Sequence, residues 1–434
     1  MSVTSLLSKF SRQKQLPDSA LEMMRLSLLD WSACALAGSN EPVTKIVQNL
    51  VLSEGGSPQA LCVGATMRAP LRNAALINGV TSHALDYDDT HFAHIGHPSV
   101  AVVPTALAVA EHVGSSGADF LKAALIGIEA SIRVGIWLGR SHYQAGFHQT
   151  ATAGTFGATI AAGRLLELDP DQMEHALGIA STRASGLKSQ FGTMGKPMNA
   201  GIAASNGVEA ALLAKSGFLS NPKGLECMQG FADTHAGASD GAGFVDIGKT
   251  WLFESISHKF HACCHGVHAT LEAIGKIASE IQPEHVKSVK IVTNPRWQNV
   301  CNIQQPVSEL EAKFSYNLTA AMALSQVSTG DLNSFSQQTL QNAGIAALRG
   351  KVEVQFNPDI PETAAKVVVV MDDGKNFKAQ HDLNAKISMD QRREKLQAKA
   401  AALVGQDHAQ NLWRAISTGP DMKAFAKLLA MAKP

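Results

Sequence analysis

The densest run of side chains able to do chemistry is His83-Ala-Leu-Asp86-Tyr-Asp88-Asp89-Thr90-His91-Phe-Ala-His94-Ile-Gly-His97-Pro-Ser99. It places three acids and four histidines within fifteen residues of a chain in which only 17% of residues are charged. Such a cluster is costly to bury unless it is fully paired or binds something. Carboxylate and imidazole together suit zinc or iron, so one reading is a metal centre, with His91, His94 and His97 as the ligands of a hydrolase. The other is a metal-free acid/base site, in which a histidine moves a proton and an aspartate orients it. The plain alternative is a solvated loop whose Asp and Ser cap the helix that His97-Pro98 leads into. Spacing favours function over that alternative and does not separate metal from metal-free.

Three further segments carry candidates. His148 lies in Tyr143-Gln-Ala-Gly-Phe-His148-Gln-Thr150, just before an expected helix start. A lone histidine in such a place is more often a structural hydrogen-bonder than a catalyst. The segment from Gln190 to Gly201 is rich in glycine, carries the single cation Lys196 and precedes a helix. Exposed N–H groups, a helix start and a lysine make a carboxylate cradle, and a surface loop is the equal alternative. The segment is not a Walker loop, and no G-x-G-x-x-G follows a strand there. His258-Lys259-Phe-His261-Ala-Cys263-Cys264-His265-Gly-Val-His268 is the second dense cluster. Its spacing fits no standard zinc pattern, a Cys-His nucleophile is conceivable, and His265 and His268 could instead simply open a buried helix.

The elements that must hold these side chains follow from periodicity. Ser19 and Glu22 predict a capping box ahead of an apolar stripe at Leu21, Met24, Leu28, Trp31 and Ala35, with Gly38 as the stop. Helices are predicted at about 101–112, 119–138, 170–180 (capped by Asp169) and 206–215. Abundant Ala and Gly predict close helix packing. After about residue 253 the pattern changes. Val289, Ile291 and Thr293, and again Val352, Val354 and Phe356, alternate as strands do. The run 366–371, then Asp373-Gly374, then 376–379 predicts a hairpin, and 309–326 and 331–348 read as helices. Helical character returns at Ser388, capped with Gln391. The expected fold is mainly α with an α+β lid: a discontinuous helical domain, 1–253 plus 389–434, and an α+β lid over 254–388.

Composition narrows the function classes. The formal net charge is zero, so there is no basic field for nucleic acid. The longest apolar stretches fall short of a membrane span. Six scattered cysteines include no CxxC pair, and the N-terminus is a poor signal peptide. These features predict a cytoplasmic protein with reduced thiols. Few charges and many small apolar residues predict a homodimer through the helical domain.

The ordered blocks resemble those of the MmgE/PrpD family. They are Leu85-Asp-Tyr-Asp-Asp-Thr90 with His97-Pro-Ser, Gly146-Phe-His148, Phe191-Gly-Thr-Met-Gly-Lys-Pro-Met198, Lys259 with Cys264 and His268, and Lys313-Phe-Ser315. Each alone is weak, but the set in this order, over about residues 10 to 320, is specific. Members of this family dehydrate 2-methylcitrate, decarboxylate cis-aconitate or epimerise iminodisuccinate, as homodimers without metal or organic cofactor. The resemblance implies a small polycarboxylate substrate and a proton abstracted next to a carboxylate. It implies catalysis by His97, His148 and Asp86, with Asp86 orienting His97, and substrate binding by Thr90, Lys196, Lys259, Cys264 and His268. Three departures set the chain apart from the decarboxylases. The Thr90–His97 gap is one residue longer, Leu318 stands where they have tyrosine, and Cys264 stands where they have histidine. The resemblance therefore implies dehydratase-like elimination first and epimerisation second, with decarboxylation or a metal-dependent hydrolase below them.

Overall fold

The computed structural model describes residues 2–419 and 421–430. The chain is mainly helical, with one small mixed sheet, and it divides into two compact units: residues 1–258 with 396–434, and residues 259–395. Among the described residues, no helix is long and apolar enough to cross a membrane.

The first unit is built around the helix Gln149–Leu165, which buries every residue except Arg164. A helix that is apolar or small on all sides belongs in the middle of a bundle. Helices Ser99–Val113, Gly117–Gln144, Pro170–Arg183 and Gly195–Lys215 pack around it, and Leu71–His83 lies against Gly195–Lys215. Close approach depends on glycine. A Cβ on Gly79 would come 2.7 Å from the Cα of Gly201, and one on Gly127 would come 2.6 Å from the carbonyl oxygen of Gly157. The predicted small-residue packing is therefore present. The capping box at Asp169 and Gln172 is formed. The one at Ser19 is not: that helix starts at Asp18 behind Pro17, and the Ser19 hydroxyl donates to Glu254 at 2.6 Å instead. Residues 396–430 pack on this unit, with Phe425 against Phe120 and the Gly64 N–H donating to the Leu429 carbonyl.

The second unit carries a four-stranded sheet in the order Val352–Phe356, Val286–Thr293, Ala364–Met371, Asn376–Asp382. The first pair is parallel and the others are antiparallel. The hairpin at Asp373-Gly374 is present, with Gly374 at φ 86°. Helix His265–Gly275 packs on the last two strands and on helix Tyr316–Leu324. The long helices predicted at 309–326 and 331–348 are broken into shorter turns, because Ser315, Ser336 and Asn342 each cap a new start.

Candidate active site

The catalytic candidates of the first unit gather where three helices begin. His97 stands two residues before helix Ser99–Val113, His148 is the N-cap of the central helix, and Lys196 is the second residue of helix Gly195–Lys215. The glycine-rich segment predicted as a loop cradle is therefore largely helical from Gly195. The reason is that Met194, Gly195 and Lys196 carry straight on from a turn closed by Gln190 and Thr193. His97 is anchored through its backbone N–H to the Thr150 hydroxyl at 3.0 Å, on the first turn of the central helix. The backbone of His148 is fixed by its N–H on the Gly186 carbonyl at 3.0 Å.

The partner of His97 differs from the one the sequence suggested. Asp88, not Asp86, accepts from His97 Nδ1, at 2.7 Å. Asp88 also accepts from His83 Nδ1 at 2.9 Å, so two imidazoles share one buried carboxylate. Asp86 sits at the other edge of the His97 ring, with Oδ1 3.4 Å from Nε2, and its Oδ2 is 2.6 Å from Lys196 Nζ. The physical reason is the loop conformation. Asp86 adopts φ 50°, in the left-handed region that Asp tolerates, and the turn sends alternate side chains to opposite sides of the ring. His83 closes the helix Leu71–His83, its ring 4.6 Å from that of His97, and its Nε2 is buried without a hydrogen-bond partner.

Hydrogen bonding fixes complementary forms of the two candidate histidines, His97 and His148. Burial would raise the Asp88 carboxyl, but the electrostatic pull of the His83 and His97 imidazoles and their hydrogen bonds outweigh it and hold Asp88 well below the usual carboxylate range. An ionised carboxylate only accepts, so the His97 proton lies on Nδ1. Burial pushes His97 down to about 4, against the pull of Asp88, so at neutral pH its Nε2 carries a free lone pair. His148 is the reverse. Asn199 Nδ2 donates to the Leu187 carbonyl at 3.3 Å, which fixes the amide's orientation, and also donates to His148 Nδ1 at 3.2 Å. The proton of neutral His148 therefore lies on Nε2, and burial, reinforced by the Lys196 ammonium, keeps the ring neutral. One histidine thus presents a lone pair that can accept a proton, and the other an N–H that can donate a hydrogen bond.

The remaining residues of the acid-rich loop hold the backbone. Asp89 accepts from the Ser99 hydroxyl at 2.5 Å, and burial pushes its carboxyl up to about 8. Thr90 pairs with Ser257 through two backbone hydrogen bonds, and its hydroxyl is 3.5 Å from the Ser257 carbonyl. His91 bonds the Leu252 carbonyl through Nε2 and receives the His94 N–H on Nδ1. His94 is buried against Gly135, with no partner on either ring nitrogen. The His91–His94–His97 metal set is thus not assembled. Among the described residues, the ligand atoms that come within 4.8 Å of one another belong to His83, Asp86, Asp88 and His97. A divalent ion there would compete with the Lys196 ammonium for Asp86 and with two imidazole N–H groups for Asp88, so the donor set fits a metal poorly.

The second unit holds the other candidates. Lys259 is buried, Cys264 is the half-buried N-cap of helix His265–Gly275, and its N–H donates to the Lys313 carbonyl at 2.9 Å. His268, expected to bind substrate, is buried on the first turn of that helix. Its Nε2 donates to the Cys263 carbonyl at 3.3 Å and its ring packs on those of His261 and His265, so it ties down the segment that carries Cys264. Leu318 is buried in helix Tyr316–Leu324, and the Tyr316 hydroxyl donates to the Gly266 carbonyl at 2.7 Å.

Sequence reasoning named Asp88 and His83 only as members of the cluster and missed Asn199. Its one signal was the spacing Lys196-Pro-Met-Asn199, which puts the two side chains on one helix face.

Residues 10–241 match the family description "MmgE/PrpD N-terminal domain", and residues 261–418 match "MmgE/PrpD C-terminal domain". Among curated proteins, the chain is 27% identical to the cis-aconitate decarboxylase of Homo sapiens over 450 residues, covering 96% of this chain and 91% of that one. It is 26% identical to the Mus musculus protein of the same name, covering 96% and 90%. It is 28% identical to the cis-aconitate decarboxylase of Aspergillus terreus over 425 residues, covering 84% of each.

Proposed function

The chain belongs to the MmgE/PrpD family, and from that premise we propose that it is a metal-free lyase of a small di- or tricarboxylic acid in which His97 moves the proton and His148 donates a hydrogen bond to the reacting acid. The observation that supports this most is the pairing of opposite tautomers at three converging helix starts. Helix N-termini favour anionic groups, and Lys196 adds a full positive charge, so substrate carboxylates have a place beside the two imidazoles. Lys196 against a carboxylate also acidifies the adjacent C–H.

The first reading is decarboxylation of a cis-aconitate-like acid, supported by relatives of that name over nearly the whole chain. In it the bond between carbon and carboxylate breaks, CO2 leaves, and the electron pair left on carbon takes a proton from His97 Nε2 in its imidazolium form, which solvent replaces, while the His148 Nε2–H hydrogen-bonds the remaining carboxylate. The second reading is dehydration, which the sequence favoured. It is supported by the buried Leu318 and the engaged Tyr316 hydroxyl, which leave no phenol at that place. Here His97 Nε2 takes the proton next to the carboxylate and, as the imidazolium, passes it to the departing hydroxyl, which leaves as water, while the His148 Nε2–H hydrogen-bonds the oxygen on which charge develops. Nothing in the site specifically favours epimerisation.

One incubation decides. Cis-aconitate and tricarboxylic hydroxy acids are offered in deuterated water and followed by NMR. Loss of CO2 with one solvent deuteron in the product supports the first reading, and a new alkene with loss of water supports the second. Solvent deuterium entering without any bond lost would overturn the lyase assignment. His97→Gln is expected to lower kcat strongly while the melting temperature stays near wild type; near-normal kcat would move the base to His148.

We also infer a cytoplasmic homodimer, joined through the helical unit. Support comes from the low charge content and from apolar side chains exposed there, including Phe218, Leu219 and Met228. A monomeric mass at micromolar concentration would count against it.

A further inference from the structure

Lys399, on helix Met389–Val404, is buried within the first unit. Its Nζ donates to the backbone carbonyl of Tyr87 at 2.6 Å, lies 2.5 Å from Asp30 Oδ1, and sits 3.9 Å from the centre of the Tyr87 ring. Asp30 belongs to helix Asp18–Gly38, and its side chain is fully buried. Tyr87 is also buried, and it is the residue between Asp86 and Asp88. Two residues far apart in sequence thus meet on one ammonium: the buried acid Asp30, and Tyr87, which offers both its ring face and the carbonyl at the middle of the acid-rich loop.

A buried lysine needs a counter-charge, and Asp30 supplies it. Charge balance alone does not require the bond to Tyr87. That carbonyl belongs to a peptide whose neighbours point opposite ways, Asp88 to Nδ1 of His97 and Asp86 towards its Nε2. Rotation about this peptide would carry both carboxylates off the ring together. An error of about 1 Å in such a site can cost roughly a hundredfold in rate.

We propose that Lys399 is a positioning residue: it pins the Tyr87 carbonyl and so keeps Asp86 and Asp88 on opposite edges of His97, which makes the C-terminal segment part of the active site. This rests on the reading of His97 as a proton carrier. Lys399 makes no hydrogen bond to His97, and its loss lowers kcat through Asp88 and raises KM through Asp86 and Lys196.

The test compares Lys399→Met, the pair Asp30→Asn with Lys399→Met, and Lys399→Arg in the full chain. Lys399→Met leaves a lone buried acid and is expected to lower both kcat, by tenfold or more, and the melting temperature. The pair removes that lone charge, so its melting temperature should return towards wild type while kcat stays low and KM stays raised. Lys399→Arg keeps a donor and a charge and should recover part of kcat. Hydrogen exchange of the peptide spanning residues 84–97 should be faster in the pair than in wild type. A pair that recovers kcat along with stability would reduce Lys399 to charge balance and overturn the proposal, as would unchanged exchange over 84–97. The exchange measurement needs no substrate, so it stands apart from the lyase assignment: if no acid is turned over but exchange still rises, the pin holds and the reaction is wrong.

Discussion

Asn199 donates an amide N–H to Nδ1 of His148 at 3.2 Å and thereby places that histidine's proton on Nε2. The amide cannot turn over without facing its oxygen to the Leu187 carbonyl, which already accepts from it at 3.3 Å. Asn199→Leu removes the donor and should cost about tenfold in kcat. Asn199→Asp should cost more, on the order of a hundredfold, because a carboxylate accepts and would draw the proton to Nδ1, away from the substrate. Steady-state kinetics of the two variants checks the order. Equal losses, or a milder loss in Asn199→Asp, would sink the tautomer assignment.

Asp88→Asn should leave the fold close to wild type and lower kcat by about a hundredfold or more. An amide can donate to His97 Nδ1, which would put the proton on the wrong nitrogen. Asp86→Asn, by contrast, leaves the Nδ1 partner intact and loosens Lys196, whose Nζ is 2.6 Å from Asp86 Oδ2. Its main effect should be on KM. Both are read from kcat and KM measured separately, and a larger kcat loss in Asp86→Asn would restore Asp86 as the orienting acid.

Acid pH should impair activity and stability together. Burial pushes His97 to about 4, His91 to about 4 and His94 to about 3, all below the ordinary imidazole value. Between pH 6.5 and about 4 the unfolded chain binds these protons and the folded chain does not, so stability falls as pH drops through that window. The slope is about 1.4 kcal/mol per pH unit for each imidazole. Asp89, pushed up to about 8, acts the other way: its contribution is complete below the unfolded carboxylate value and is lost as pH rises through 8. Melting temperatures measured from pH 4.5 to 9 should therefore peak between these limits. Asp89→Asn should flatten the alkaline side, and an unaltered alkaline side would show that Asp89 is already ionised at neutral pH.

Chelator treatment should leave turnover unchanged, since Lys196 and two imidazole N–H groups already occupy the carboxylates a cation would need. Activity that disappears on chelation and returns with stoichiometric zinc or iron would reverse this.

Gly135→Ala should destabilise the helical unit by about 1–3 kcal/mol, because the added Cβ would lie 2.1 Å from His94 Nδ1 in a packed interior. Thermal unfolding measures it; a change under 0.5 kcal/mol would mean that His94 has room to move.

The sequence determined what depends on neighbours along the chain. Helix and strand periods, the cap at Asp169, the hairpin at Asp373-Gly374 and the clustering of acids with histidines before Pro98 are all local, and each is set by a few consecutive residues. So were His97, His148 and Lys196, which all stand at helix starts. What the tertiary structure decided was the pairing. Asp86 and Asp88 are equivalent candidates in sequence, and only the left-handed turn at Asp86 sends one to each edge of the His97 ring. Asn199 meets His148 across 51 positions, and Lys399 meets Tyr87 across 312. Hydrogen bonds act over about 3 Å and depend on angle. The choice of partner therefore depends on how helices far apart in the chain pack together, which the periodicity of any one segment does not contain.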